Sequence, residues 1–180
     1  MGRQEFIENG NLKPGIHKYS IIEFEKQFVN EFSESLTRTE IYNNFRQWLN
    51  LLIDIKPPRY LWLDGSFLTT KLNPNDLDLV LFYRPEDITN ELEGKRISNL
   101  INNISRKFKC DAYFSYCFDH LDVYNQQSIP PEIRTNKTYW KGQFGFDRND
   151  NAKGIILIDD NEMIKKLNSC NIKDIKHILI

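Results

Sequence analysis

Apolar positions recur at helical spacing twice in the first third of the chain. Ile21, Phe24, Phe28, Val29 and Phe32 follow Ser20-Ile21-Ile22-Glu23, a capping box, and predict an amphipathic helix. Ile41, Phe45, Trp48, Leu49, Leu52 and Ile55 follow Thr37-Arg38-Thr39-Glu40, the same signature, and predict a second helix that Pro57-Pro58 ends. Both aromatic stripes read as core rather than as a ligand cradle. The period then changes. Leu61-Trp62-Leu63 is a short apolar run closed by Asp64-Gly65-Ser66, and Leu77 to Tyr83 is a longer one preceded by Asp76; both predict strands. A helix is expected from Pro85-Glu86-Asp87 through Ile97, Leu100, Ile101 and Ile104 to about Lys107, with a solvated face of Glu91, Glu93, Lys95, Arg96 and Arg106. Asp111 to Phe118 has strand composition, and Gly154 to Ile158 is the last strand. Met1 to Lys18 and Asp119 to Lys137 read as loops. Tyr139 to Arg148 and Lys153 flank Asn149-Asp150-Asn151, which reads as a hairpin turn. From Asp159 to Ile180 one or two short helices are expected, the first capped by Asn161 or an aspartate just before it.

Composition narrows the class. With 180 residues, 40% hydrophobic and 13% aromatic, the chain has enough apolar material for a sizeable core and reads as one domain, residues 1–180. Residues 18–56 supply the leading helices, 59–158 the core and 159–180 a helical tail. The net charge of −1, with no basic block, excludes bulk attraction to nucleic acid but leaves local basic surface open. Cys110, Cys117 and Cys170 lack metal-like spacing and are odd in number, so they read as reduced thiols of a cytoplasmic protein. No signal peptide and no stretch of membrane-spanning length is legible. His17 in a loop reads as solvated or locally bonded, and His120 with Asp119 and Asp122 as surface decoration rather than a metal site.

The chemistry concentrates between residues 64 and 78. Gly65-Ser66 follows a strand and opens a tight turn whose backbone N–H groups favour an anion, phosphate above all. Asp76 and Asp78 are two positions apart on a strand, so their carboxylates share a face. Paired carboxylates resist joint ionisation unless a cation lies between them, and hard oxygen ligands beside a phosphate turn suit Mg²⁺. The plainer alternative is an ordinary Asp-Gly-Ser turn and a polar loop ending in a capping aspartate. Against it, Asp78 adjoins an apolar run where an unpaired carboxylate is costly.

Gly65, Ser66, Asp76, Leu77, Asp78 and Leu79 match position by position the signature of the DNA polymerase β-like nucleotidyltransferase superfamily, which this chain resembles from about Pro14 to Ile158. That signature is an apolar strand, Gly-Ser, a polar spacer, then Asp-apolar-Asp-apolar opening a second strand. The likeness is greatest to small bacterial members sharing apolar-Asp-Gly-Ser-Phe, Pro-Asn-Asp-apolar-Asp and a late Lys-Gly-Ile strand, and it brings no substrate with it. It implies an α+β fold, a small mixed sheet with helices mainly on one face and two helices in front. It also implies that Asp111, on the strand after the intervening helix, is a third catalytic carboxylate, either a metal ligand or the base for the attacking hydroxyl. The alternative is an edge-strand aspartate facing water. The implied activity is Mg²⁺-dependent transfer of a nucleoside monophosphate from an NTP such as ATP. Two Mg²⁺ ions, or Mn²⁺, would be held by Asp76, Asp78 and Asp111, and the phosphates by Gly65 and Ser66. Lys153 and Arg148 are candidate phosphate contacts, and the aromatics near them either stack on the base or, the reading the residues favour, pack a hairpin face. RNA ends, protein hydroxyls, small molecules and other nucleotides are the superfamily's acceptors. Its small members often sit in toxin–antitoxin or defence operons with a cognate partner protein. A nucleotide- or partner-binding module that kept the fold and lost turnover is the alternative, and a plain structural protein with the aspartates scattered is a third.

Overall fold

The computed structural model describes residues 4–167. Cys170 and the remainder of the expected tail lie outside the described residues. In chain order the elements are β1 (Gly15–Lys18), α1 (Ile21–Glu25, continued by a π-helical turn Lys26–Asn30), α2 (Arg38–Ile55), β2 (Tyr60–Asp64), β3 (Leu77–Tyr83), α3 (Glu91–Asn99), β4 (Cys110–Tyr116), α4 (Val123–Gln127), α5 (Pro131–Arg134), α6 (Asn136–Phe144), β5 (Gly154–Asp159) and α7 (Asp160–Leu167). Among the described residues the strands form one five-stranded mixed sheet in the order β1-β5-β2-β3-β4. β2 runs antiparallel to β3 and β5, whereas β3–β4 and β1–β5 are parallel. No helix among the described residues is long and apolar enough to cross a membrane.

Alternation along the strands sorts the side chains into two layers. Leu61, Leu63, Leu79, Leu81, Ile156 and Ile158 pack with Phe24, Phe28, Phe45, Trp48, Leu52, Ile97 and Met163, so α1, α2, α3 and α7 cover one face. Trp62, Val80, Phe82 and Ile155 face the other way and meet Phe144 and Trp140 of α6. The fold is therefore α+β with its helices mainly on one face. Expectation and structure agree on the two leading helices and four of the strands.

Several expectations need correction. β1 was read as loop; it is short and mostly exposed, so it carries no burial pattern, and parallel pairing with β5 makes it a strand. Ser20 and Glu23 form the predicted capping box, but Thr37 does not cap α2. Its hydroxyl donates to the Pro74 carbonyl instead, and Ser35 Oγ accepts from the Arg38 N–H. The helix after β3 begins at Glu91 rather than Pro85. Asp87 accepts from the Arg84 N–H and pairs with Arg59, which closes a separate 3₁₀ turn, and Asn90 caps α3. Residues 123–144 are short helices, not a loop and a strand. Only an isolated Phe146–Ala152 bridge remains of the expected hairpin. The cap of α7 agrees with expectation: it is an aspartate before Asn161, Asp159, whose carboxylate accepts from the Glu162 N–H.

The segment joining β2 to β3 is held by a residue that periodicity did not single out. Arg38 is 0% exposed. Its guanidinium donates to the carbonyls of Phe28, Phe67, Thr69 and Lys71 at 2.6–2.8 Å and of Leu72 at 3.3 Å, with the Phe32 ring 3.7 Å away. Among the described residues it has no carboxylate partner, and burial pushes its pKa down to about 10. Asn73 Oδ1 accepts from the Leu36 N–H, tying the rest of the segment to the start of α2. Arg38→Met would strand several buried carbonyls, so it is expected to cost at least about 2 kcal/mol. Arg38→Lys would recover little, because an ammonium cannot fork to five carbonyls. Chemical denaturation measures both; a Lys variant as stable as the parent contradicts this role.

Candidate active site at the carboxylate end of the sheet

β2 ends on Asp64, and Asp64 pairs in register with Asp78 of β3, which pairs with Asp111 of β4. Strand alternation puts all three, with Asp76 just before β3, on the Trp62–Val80–Phe82 face. Adjacent strands are only about 4.8 Å apart, so the carboxylates stand abreast at one end of one face. Gly65 makes this possible. Its φ is +82°, where a side chain is disfavoured, and a Cβ there would collide with the Asp78 carboxylate.

These residues form one wall of an open cavity of about 740 Å³. Every expected site residue lines it: Gly65, Ser66, Asp76, Asp78, Asp111, Arg148 and Lys153. Ser66 opens the 3₁₀ turn Ser66–Leu68, as expected of the Gly-Ser step. Arg148 is exposed on a turn held by Asp147, which accepts from Asn11, Asn151 and the Asn149 N–H. These donors hold the Asp147 carboxyl well below the usual carboxylate range. Of the aromatics, Trp140 and Phe144 pack towards the sheet, with Trp140 4.7 Å from the Tyr113 ring. Tyr139 and Phe146 stay 56% and 50% exposed and line the cavity.

Lys153, a candidate phosphate contact, is already engaged by a carboxylate. It is 8% exposed, and its ammonium lies 3.0 Å from Oδ1 of Asp64, itself 4% exposed. The contact is ionic rather than a well-aligned hydrogen bond, since that oxygen lacks a geometrically sound donor. Asp64 was not among the expected site residues, because Asp-Gly-Ser reads locally as a turn; the strand parity of residues 60, 62 and 64 is the signal that places it on the Asp78 face. Burial raises the Asp64 carboxyl to about 7, with Lys153 pulling it back down. Burial and the neighbouring Asp76 and Asp111 raise Asp78 to about 6, against the pull of Lys153 and Arg148. Asp111 accepts a 2.8 Å hydrogen bond from the Tyr113 hydroxyl and lies 3.6 Å from Arg106. No three potential ligands among the described residues converge into a ready-made metal cage. The residues set aside at the sequence level stay outside the site: His17 lies 2.7 Å from the Lys13 carbonyl, His120 pairs with Glu86, Asp119 with Lys137, and Asp122 caps α4.

A family model matches residues 4–159. The chain belongs to a family of unknown function, DUF6932. Comparison with curated proteins and with solved structures finds no match. The DUF6932 match runs from before β1 to the end of β5, so it takes in every cavity residue named above.

Asp78 keeps its proton to about pH 6 when folded and loses it near 4 when unfolded, so its contribution to stability falls as pH rises between those values. Asp78→Asn is therefore expected to stabilise the metal-free protein at pH 8, by of order 1–3 kcal/mol, and by almost nothing at pH 4. Denaturation at both pH values in a chelator measures the difference. A gain that does not depend on pH, or a loss at pH 8, contradicts an Asp78 carboxyl raised by burial and by its acidic neighbours.

Proposed function

We propose that this protein is a metal-dependent nucleotidyltransferase that moves a nucleoside monophosphate from an NTP to an acceptor hydroxyl. The observation that carries this reading is the registration of Asp64, Asp78 and Asp111 across adjacent strands beside the Gly65 turn, in a cavity lined also by Asp76, Lys153 and Arg148. The resemblance of Gly65-Ser66 and Asp76-Leu77-Asp78-Leu79 to the superfamily signature supports it independently.

The residues fit a hard divalent cation. Asp78 is partly buried and crowded by Asp76 and Asp111, so the cluster is short of positive charge, and the buried ammonium nearby is already paired with Asp64. Asp76 and Asp78, with Asp111, would hold Mg²⁺, or Mn²⁺ in its place, which when bound supplies charge neutralisation at the reacting phosphate and acidifies the acceptor hydroxyl. Ser66 and the backbone around Gly65 would hold the leaving phosphates, with Arg148 at the mouth adding charge. Tyr139 and Phe146 offer exposed faces for the base. The acceptor oxygen attacks the α-phosphorus as the bond to the bridging oxygen breaks, so pyrophosphate leaves with the electron pair. The proton passes to solvent or, where Asp111 serves as the base instead of a metal ligand, to its Oδ1, because Oδ2 already accepts from Tyr113. The same engagement of Asp111 favours the second reading, a nucleotide-binding module without turnover.

Incubation with each α-labelled NTP and Mg²⁺ or Mn²⁺, with total RNA, protein lysate or no acceptor, tests the reading. Label is expected to transfer with the intact protein and to fall at least about 100-fold in Asp76→Ala/Asp78→Ala. Metal-dependent NTP binding without transfer would favour the binding module. Neither binding nor transfer would rule out both.

A further inference from the structure

A second, smaller cavity of about 310 Å³ adjoins the carboxylates at the start of β4. It is lined by Asn75, Asp76, Arg106, Lys109, Cys110 and Asp111, and it shares Asn75, Asp76 and Asp111 with the large cavity. The same aspartates thus border both cavities, and each cavity has its own basic pair: Arg148 and Lys153 in the large one, Arg106 and Lys109 in the small one. We propose that the smaller cavity receives the acceptor, and that the acceptor carries a phosphate beside its attacking hydroxyl, as a nucleotide or a polynucleotide end does. This rests on the nucleotidyltransferase reading.

The chemistry of in-line displacement carries the argument. Entering and leaving oxygens lie on opposite sides of the reacting phosphorus. With the triphosphate in the large cavity, the acceptor would enter from the smaller one, which shares Asp76 and Asp111 with it. A neutral or basic acceptor has no use for cations there, whereas a phosphate next to the hydroxyl does. The side chain of Arg106 is 81% exposed and touches Asp111 only at 3.6 Å, so most of its guanidinium is open to a ligand. Lys109 pairs with Glu40 at 2.9 Å in a partly exposed contact of the kind that contributes little and yields readily to a phosphate. The backbone fixes Lys109 in place: its φ is +54°, a left-handed conformation uncommon for lysine, and its carbonyl accepts from the Leu77 N–H at the start of the Asp78 strand. The backbone that carries the cation is therefore tied to the strand that carries the carboxylates. Lys107, exposed on the same turn, extends the basic surface outwards.

The test is binding rather than turnover. A dye-labelled ten-nucleotide single-stranded RNA with a free 3′ hydroxyl is titrated with the full chain in chelator, by fluorescence anisotropy. The parent and Arg106→Gln/Lys109→Gln are compared, with thermal unfolding to confirm that both fold. The double variant is expected to bind at least tenfold more weakly. The slope of log affinity against log salt is expected to shrink by about 1.4, the equivalent of two phosphates on a single strand. Binding of Mg²⁺ with a non-hydrolysable ATP analogue, measured separately, is expected to stay within twofold. A 5′ mononucleotide that competes as well as the RNA assigns the site to nucleotide acceptors; a need for length assigns it to a polynucleotide end. Equal RNA binding by parent and variant, or none by the parent, overturns the proposal and leaves nucleotidyl transfer standing if the ATP analogue binds. RNA binding lost in the variant, in a protein that never binds the ATP analogue, supports the phosphate site and overturns the transfer reading beneath it.

Discussion

Asp64, Asp76, Asp78 and Asp111 crowd one end of one sheet face, and one buried ammonium, that of Lys153, sits among them. Everything else about the site follows from that excess of negative charge. The sheet cannot relieve it by turning a side chain away, because strand alternation fixes which residues share the face. Partial protonation of Asp64 and Asp78 is how the free protein accommodates it, with the carboxyls lifted to about 7 and about 6. A bound cation would accommodate it at neutral pH without protons. Titratable groups perturbed together in a cleft are a feature of functional sites, and that is the ground for placing the site on this face.

Holding them there requires support from outside the sheet. The chain leaves β2 through Gly65 at positive φ, where no side chain fits against Asp78, and returns to β3 through a segment whose carbonyls converge on Arg38. A guanidinium with its donors satisfied by backbone makes that segment rigid without competing for the carboxylates. Asp111 is fixed independently, by parallel pairing of β4 with β3 and by the Tyr113 hydroxyl. The site is thus assembled from α2, three strands and two turns, and rigid elements of this kind are what metal and phosphate sites need.

Much of this was legible in the sequence where local chemistry and global structure agree. Gly65-Ser66 and Asp76-x-Asp78 carry their geometry in their spacing, and Asp111 was implied by the superfamily resemblance, which asks for a carboxylate on the strand after the intervening helix. Asp64 was hidden because an Asp-Gly-Ser turn and a strand-terminal carboxylate look alike, and its partner Lys153 comes from a distant strand. Arg38 was hidden because a helix-start pattern says nothing of the carbonyls that fold back over it. α6 was mistaken for a hairpin because Tyr139, Trp140, Phe144 and Phe146 have strand propensity; the four-residue spacing of Trp140 and Phe144, which puts both rings on the sheet, was the clue that outweighed it. β1 had no burial pattern to read.

Titration of Mn²⁺, followed by electron paramagnetic resonance with and without a non-hydrolysable ATP analogue, tests the central claim most directly. The account predicts saturable Mn²⁺ binding to the intact protein at pH 7.5, tightened by the analogue and weakened at least tenfold in Asp76→Asn/Asp78→Asn. Mn²⁺ binding that is absent, or identical in the intact protein and the variant, would contradict it.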